Sequence, residues 1–126
     1  MKETVLLYNF TDKERLLKVK QALMPLGFRL KAVECKDYLK PVGVLAGLKE
    51  LETTENELEY DGPGFGDEMA LMAGFNSMQI DAFIKALRRT GVGKINYKAV
   101  LTESNKHWDS LKLYQEIKEE HEAMSR

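Results

Sequence analysis

Two stretches of the chain share one order of apolar and polar positions. Each opens with a short apolar run that ends in Phe and a residue suited to cap a helix, over 5–11 and again over 70–76. Apolar residues follow on one helix face in both stretches, at Leu16, Val19, Leu23 and at Ile80, Phe83, Leu87. Each stretch then closes on the tripeptide Lys-Ala-Val, at 31–33 and at 98–100. This order predicts an internal repeat of two βαβ units.

The predicted strands are of two kinds. The first strand of each half, Val5–Tyr8 or Met69–Ala73, is apolar on both faces, which is typical of a central strand. The second strands alternate and so have one wet face, with apolar positions at Phe28, Leu30, Ala32 and at Ile95, Tyr97, Ala99. We therefore expect an α/β (α+β) fold in which two βαβ halves form a ferredoxin-like sheet with helices on one face, plus an extra C-terminal helix. A small parallel α/β sheet is the alternative.

The length of 126 residues suits a single domain over 1–126. Its expected parts are the first βαβ half at 1–34, a connector at 35–68, the second half at 69–101 and a C-terminal helix at 102–126. The connector holds a short helix after Pro41, then seven acidic residues and no basic one between Leu51 and Glu68, around a glycine-rich core. That composition predicts a solvated, mobile loop. The apolar side of the last helix must dock on another surface.

Charge and composition argue against several classes of protein. The 19 basic and 20 acidic side chains nearly balance, whereas nucleic-acid binding depends on cations that neutralise phosphates. Arg29, Lys31 and Lys98 are predicted to share the wet sheet face, but the aromatic strand motif of RNA-binding sheets is missing. The apolar run at 5–7 is too short for a signal peptide or a membrane span, so we expect a cytoplasmic protein without a membrane partner. The sequence contains no cofactor motif, and no cofactor is expected.

The acidic loop resembles a calcium-binding loop in its spacing. Glu57, Glu59, Asp61 and Glu68 follow the pattern of calcium-ligating carboxylates, with Gly62 at the turn. Two of the ligand positions, however, hold Glu instead of the shorter Asp or Asn, and no convincing helix precedes the loop. We therefore favour an acidic loop without a metal and keep the metal site as the weaker alternative.

The densest polar stretch, Lys98–Trp108, leaves the last strand and enters the last helix. Thr102, Ser104 and Asn105 are able to satisfy free backbone donors there, and free donors at a helix start also attract anions. Lys98, Thr102, Asn105 and Trp108 are therefore the candidate residues of a small anionic-ligand site. The favoured interpretation of the same stretch is a capped helix with Trp108 anchored in the core.

The sequence assigns no catalytic group. It does not place a nucleophile, a base and an orienting group at a recognisable spacing. Cys35, the single cysteine, and His107 are the only titratable candidates for chemistry beside the Thr102–Asn105 loop. We therefore favour a protein that is not an enzyme.

One motif resembles a known protein family. The sequence Lys98-Ala99-Val100-Leu101-Thr102-x-x-Asn105-x-x-Trp108, preceded by Gly74-Phe75 and by Ala86-Leu87-Arg88, is similar to the bacterial domain-of-unknown-function family 3783. The resemblance covers roughly Met69 to Glu122. It implies a bacterial origin and marks Lys98, Thr102, Asn105 and Trp108 as signature positions, but it implies no activity.

Two hypotheses on function follow from these patterns. The leading one is a non-enzymatic binding or regulatory module that self-associates as a homodimer, because the central strands are apolar on both faces and the two repeat helices cover only one. The final helix or a second subunit must then cover the other face. The alternative is a binding protein or enzyme for a small anionic metabolite that uses the Lys98–Trp108 segment.

Overall fold

The computed structural model describes residues 2–48 and 58–124. The main helices and strands, in chain order, are β1 (Thr4–Tyr8), α1 (Lys13–Leu23), β2 (Arg29–Ala32), α2 (Val42–Leu45), β3 (Met69–Ala73), α3 (Ser77–Arg89), β4 (Tyr97–Val100) and α4 (Ser110–Met124). Short 3-10 helices lie at Met24–Leu26 and Cys35–Asp37. This element order confirms the mixed α/β fold built from two βαβ units.

The four strands form one sheet in the order β2-β1-β3-β4. β1 pairs in parallel with β2, β3 pairs in parallel with β4, and the two central strands run antiparallel with Leu6 opposite Leu71. The first strand of each half is therefore central, as the apolar runs predicted. The ferredoxin-like order is not confirmed, because the helix of each half returns the chain to the directly adjacent position and no strand of the other half intervenes. The antiparallel central pair also excludes a fully parallel sheet.

The helices α1 and α3 bury matching positions. The buried residues of α1 are Val19, Ala22 and Leu23, and those of α3, at the same spacing, are Phe83, Ala86 and Leu87. A side chain caps the start of each helix, Asp12 for α1 and Asn76 for α3. Beyond their ends, Gly27 and Gly91 both adopt a φ of 82°, the left-handed conformation that lets the chain turn back toward the sheet.

The sheet carries a hydrophobic core on each face. α1 and α3 cover the first core, to which the central strands contribute Val5, Leu7, Ala70 and Met72. The second core takes the alternate residues of the same strands, and α2, α4 and the connector cover it. Leu113 and Ile117 dock the last helix on this second face. The face from which self-association was predicted is thus covered by segments of the same chain.

The second strands, β2 and β4, are not aligned as their shared tripeptide predicted. Leu30 lies beside Val5 and Lys98 lies beside Ala70, and both of these partners belong to the first core. Lys98 therefore occupies the position on β4 that Leu30 occupies on β2. A shift of one residue along a strand moves a side chain to the opposite face of the sheet.

Lys31 and Lys98 consequently point to opposite faces. Lys31 Nζ donates to the Leu45 carbonyl of α2 at 3.0 Å, on the side of the second core. Arg29 lies beside Thr4 and shares the face of Lys31. The prediction that these three cations share one wet face is therefore wrong, because the Lys-Ala-Val match is displaced by one residue in the sheet.

Candidate functional site

The four predicted site residues lie on two sides of the sheet. Lys98 faces the first core, whereas Trp108 is half-buried against the second core, with Lys112 Nζ 5.0 Å from the centre of its ring. Thr102 and Asn105 lie in the loop between β4 and α4. Since β4 lies between the Lys98 side chain and the Trp108 indole, the structure does not bring the four residues together.

Thr102 and Asn105 hold each other in a reciprocal turn. The Asn105 side-chain oxygen accepts from the Thr102 backbone N–H at 2.8 Å, and the Thr102 hydroxyl oxygen accepts from the Asn105 N–H at 3.1 Å. The Asn105 amide also donates to the Val100 carbonyl at 3.0 Å, and the residue is buried. These polar groups are therefore engaged within the loop, in the way that buried polar groups generally find partners.

The same loop docks on the start of α2. The Val42 N–H donates to the Trp108 carbonyl at 2.8 Å, and the Gly43 N–H donates to the Lys106 carbonyl at 2.9 Å. Helix α4 starts only at Ser110, and the Asp109 carboxylate accepts from the Lys112 N–H at its first turn. Helix α4 therefore begins farther along the chain than the position beside Thr102 that was predicted for it. The carbonyl oxygens of the loop accept hydrogen bonds from the backbone of α2.

Lys98 lines a cleft between α3 and β4. The cleft has a volume of about 200 Å³, and its lining residues are Phe83, Ile84, Leu87, Arg88, Gly93, Lys94, Ile95 and Lys98. Phe83, Leu87 and Ile95 are buried members of the first core and form apolar walls. Every charged residue of the lining is basic, namely Arg88, Lys94 and Lys98. The accessible surface of the cleft is therefore almost wholly apolar, and three basic residues border it, of which Arg88 and Lys94 are exposed and Lys98 is half-buried.

The Lys98 ammonium lies in an unfavourable electrostatic environment. Burial lowers its pKa from the ordinary lysine value, and the neighbouring charges of Lys94 and Arg88 lower it further. Lys98 Nζ donates to the Ile95 carbonyl at 3.2 Å. Within residues 2–48 and 58–124, no carboxylate lies within ion-pair distance of any of the three cations. A bound anion would relieve the repulsion of Lys98 by Lys94 and Arg88.

The matching place in the other half of the fold carries no such charges. Leu30 stands where Lys98 does, beside the same first core. Met24 follows the last buried residue of α1, as Arg88 follows the last buried residue of α3. The basic character of the α3–β4 cleft is therefore a property of one half and is not required to build a βαβ unit.

Sequence reasoning identified Lys98 but missed Arg88 and Lys94. Both lie in a stretch that reads as an ordinary solvated helix end and turn, Arg88-Arg89-Thr90-Gly91-Val92-Gly93-Lys94. The signal that the sequence did carry was a lysine, Lys98, on a strand that the helix α3 must cover. Aligning the halves by their buried positions, and not by the Lys-Ala-Val tripeptide, exposes the exchange of Leu30 for Lys98.

A cluster of aromatic rings holds part of the connector in place. Phe65 stacks on Tyr114 with 4.0 Å between ring centres and an interplanar angle of 1°, and on Tyr38 with 5.0 Å between centres. The Asn9 side chain donates to the carbonyls of Phe65 and Asp67 at 2.7 and 3.0 Å, and Tyr114 donates to the Asp67 carboxylate. The stretch around Phe65 is thus packed on the second core, in contrast to the mobile loop predicted there.

Three of the four carboxylates of the weaker alternative, a calcium site, lie within the residues that the structure describes. Glu57 lies outside the described residues, and Glu59 and Asp61 are exposed. Glu68 accepts from Arg15 Nε through both carboxylate oxygens, at 2.7 and 2.8 Å. Over residues 2–48 and 58–124, no three His, Cys, Asp or Glu side chains come together in a way that could hold a metal ion.

The two titratable side chains considered for chemistry lie outside the α3–β4 cleft. Cys35 and His107 are both exposed, Cys35 near the Gly62 carbonyl and His107 in the loop before α4. Neither belongs to the lining of the cleft. In the part of the chain that the structure describes, no helix is long and apolar enough to cross a membrane.

The second half of the chain matches a protein family. Residues 68–124 match the family described as Domain of unknown function (DUF3783). The match confirms the resemblance inferred from the Lys98–Trp108 motif, and it includes α3, β4 and the cleft between them. No curated protein and no solved structure matches the chain.

Proposed function

We propose that this protein is a non-enzymatic binding module that holds a small anion with an apolar body in the α3–β4 cleft. The observation that carries the proposal is the position of Lys98, a lysine at a core-facing position where the other half has Leu30. A half-buried ammonium beside two like charges is unfavourable unless it has a counter-charge. The described carboxylates do not supply that charge, so we assign it to a ligand.

The lining of the cleft suggests the chemistry of the ligand. Its cations suit a carboxylate or a phosphate, which share the ability to accept charge-assisted hydrogen bonds from Arg88 and from lysine. An apolar cavity of about 150 Å³ is large enough to bind benzene. The α3–β4 cleft, at about 200 Å³, therefore suits an apolar group of about the size of one aromatic ring.

Isothermal titration calorimetry with matched compounds tests the proposal. Hydrocinnamate carries a carboxylate and a phenyl ring, hydrocinnamyl alcohol keeps the ring without the charge, and acetate keeps the charge without the ring. We expect hydrocinnamate to bind more tightly than either control compound. Loss of a charge-assisted hydrogen bond in Lys98→Met should weaken binding by about ten- to a hundredfold.

Two outcomes would overturn the binding proposal. One is equal binding of the alcohol and the carboxylate, which would leave the cations without a role. The other is unchanged affinity in Lys98→Met, with Lys85→Met as the matched control, because Lys85 lies on the exposed side of α3 and pairs with Asp81 at 2.9 Å. An aromatic phosphate, phenyl phosphate, distinguishes the two headgroups in the same experiment.

Self-association and cellular location are separate proposals. The homodimer was expected in order to cover the second face of the sheet, and α2, α4 and the Phe65 segment cover that face. Light scattering at micromolar concentration tests the homodimer, which a mass of 14.4 kDa would reject. We also propose a regulatory role, a cytoplasmic location and a bacterial origin.

A further inference from the structure

We propose that Lys98 Nζ captures anions that carry a carbonyl group next to their acidic group, as a reversible imine. The inference rests on the proposed function, because the anion must first be held in the α3–β4 cleft. The ligand class that it names is the 2-oxo acids with an apolar side chain.

The surroundings of Lys98 make its ammonium form less favourable than that of an exposed lysine. Phe83, Leu87 and Ile95 form apolar walls, and Arg88 and Lys94 add like charges. Burial and these charges lower the pKa of Lys98, which increases the fraction of uncharged amine near neutral pH. Only the uncharged amine is a nucleophile, and desolvation beside another cation is a known way to activate a lysine toward carbonyl carbon.

The other two cations have a different task. An arginine guanidinium stays charged at all relevant pH values, and its planar fork matches a carboxylate. Arg88, assisted by Lys94, is therefore suited to hold the acid group of the ligand beside Lys98. In a 2-oxo acid the carbonyl carbon is bonded directly to the carboxylate carbon, so anchoring one positions the other.

The capture needs no further reagent. The Lys98 nitrogen lone pair adds to the carbonyl carbon, and transfer of a proton from nitrogen to the carbonyl oxygen gives a carbinolamine. Loss of the hydroxyl group with a proton, as water, gives the imine, and addition of water reverses the sequence. Nothing is oxidised or reduced, and the ligand is released unchanged.

Reductive trapping identifies the lysine that reacts. Phenylpyruvate is incubated with the protein at pH 7 in the presence of cyanoborohydride, which reduces an imine to a stable amine. Intact mass and peptide mapping then locate the product. We expect one adduct per chain, at Lys98, and at least about tenfold less labelling of Lys85, which is exposed on α3 and lies outside the lining of the cleft.

Two variants make the trapping result specific. Lys98→Arg keeps a cation in the cleft but removes the amine, so we expect the adduct to disappear. Lys85→Arg removes an exposed amine and should leave labelling of Lys98 unchanged. Labelling spread over exposed lysines, or labelling of wild type and Lys98→Arg to the same extent, would overturn the inference.

Hydrocinnamate separates this inference from the proposed function, because it lacks only the carbonyl of phenylpyruvate. If hydrocinnamate binds in a Lys98-dependent manner and phenylpyruvate gives no adduct at Lys98, the capture is wrong and the binding module stands. If hydrocinnamate does not bind and phenylpyruvate is not trapped, both are wrong. Trapping at Lys98 alone, together with Lys98-dependent binding of hydrocinnamate, supports both.

Discussion

Replacing Lys98 with leucine should make the protein more stable. The substitution gives β4 the residue that β2 has at the matching position, where Leu30 is half-buried against the first core. Complete burial of a leucine side chain contributes about 1.5–3 kcal/mol. Half of that, with the lysine stem already covering some apolar surface, leaves a gain of about 1 kcal/mol in the free energy of unfolding.

Urea unfolding followed by circular dichroism measures this gain, and thermal unfolding should show a rise in Tm of about 3–5 °C for a domain of this size. The same substitution at Lys85, on the exposed side of α3, is the matched control and should change stability by less than about 0.5 kcal/mol. Leu30→Lys, the reciprocal change, should cost about 1–2 kcal/mol. Hydrocinnamate should bind about ten- to a hundredfold more weakly to Lys98→Leu and with unchanged affinity to Lys85→Leu.

The reasoning would be refuted by a loss of 1 kcal/mol or more in Lys98→Leu. That result would mean that the hydrogen bond from Lys98 Nζ to the Ile95 carbonyl, or the packing of the lysine stem, supports the fold. Lys98 would then be a structural residue, and its position on the core face would not point to a ligand.

Three further predictions concern Asn105 in the loop before α4, Gly64 in the connector and the buried Tyr8 of β1. Asn105→Ala should lower the free energy of unfolding by about 1–3 kcal/mol in urea, because it removes the partner of the Thr102 N–H, and should leave hydrocinnamate affinity unchanged in calorimetry. Gly64→Ala should lower the free energy of unfolding by about 1–2 kcal/mol in the same urea assay, because Gly64 has a φ of +64° and an added Cβ would lie 2.9 Å from the Tyr38 ring. An unchanged unfolding midpoint would show that the connector is not docked as described. Burial raises the pKa of Tyr8 above its ordinary value of 10.0, so the unfolded chain loses the phenol proton at a lower pH than the folded chain. The free energy of unfolding should therefore fall as the pH rises above about 10, by up to about 1.4 kcal/mol per pH unit. Tyr8→Phe should flatten this slope in urea titrations at successive pH values.

The apolar pattern predicted the main elements and the central position of β1 and β3, but not the full order of the strands. Runs such as Val5–Tyr8 report that both faces of a strand are buried, and the spacing of Leu16, Val19 and Leu23 reports one buried helix face. Such patterns state which residues are inside, but they do not state which strands are neighbours. The order β2-β1-β3-β4 depends on where each helix returns the chain, which no local pattern records.

The candidate site was predicted in part for a related reason. Lys98 was identified, but the Lys-Ala-Val match assigned it to the wrong face, because strand register depends on pairing and a slip of one residue reverses the side chain. Thr102 and Asn105 were correctly identified as residues that satisfy backbone donors. Their partners turned out to lie within the loop itself, since α4 begins only at Ser110.

The most direct test of the binding site is an NMR titration of isotope-labelled protein with hydrocinnamate, followed through the backbone amide shifts. If the ligand enters the α3–β4 cleft, the shifts should concentrate between Phe83 and Lys98, and in the Lys98→Met variant they should need about ten- to a hundredfold more ligand. The loop from Thr102 to Trp108 lies at the far end of β4 and should change little. Shifts centred on Thr102–Trp108, or small shifts spread over the whole chain, would contradict the assignment of the cleft as the site.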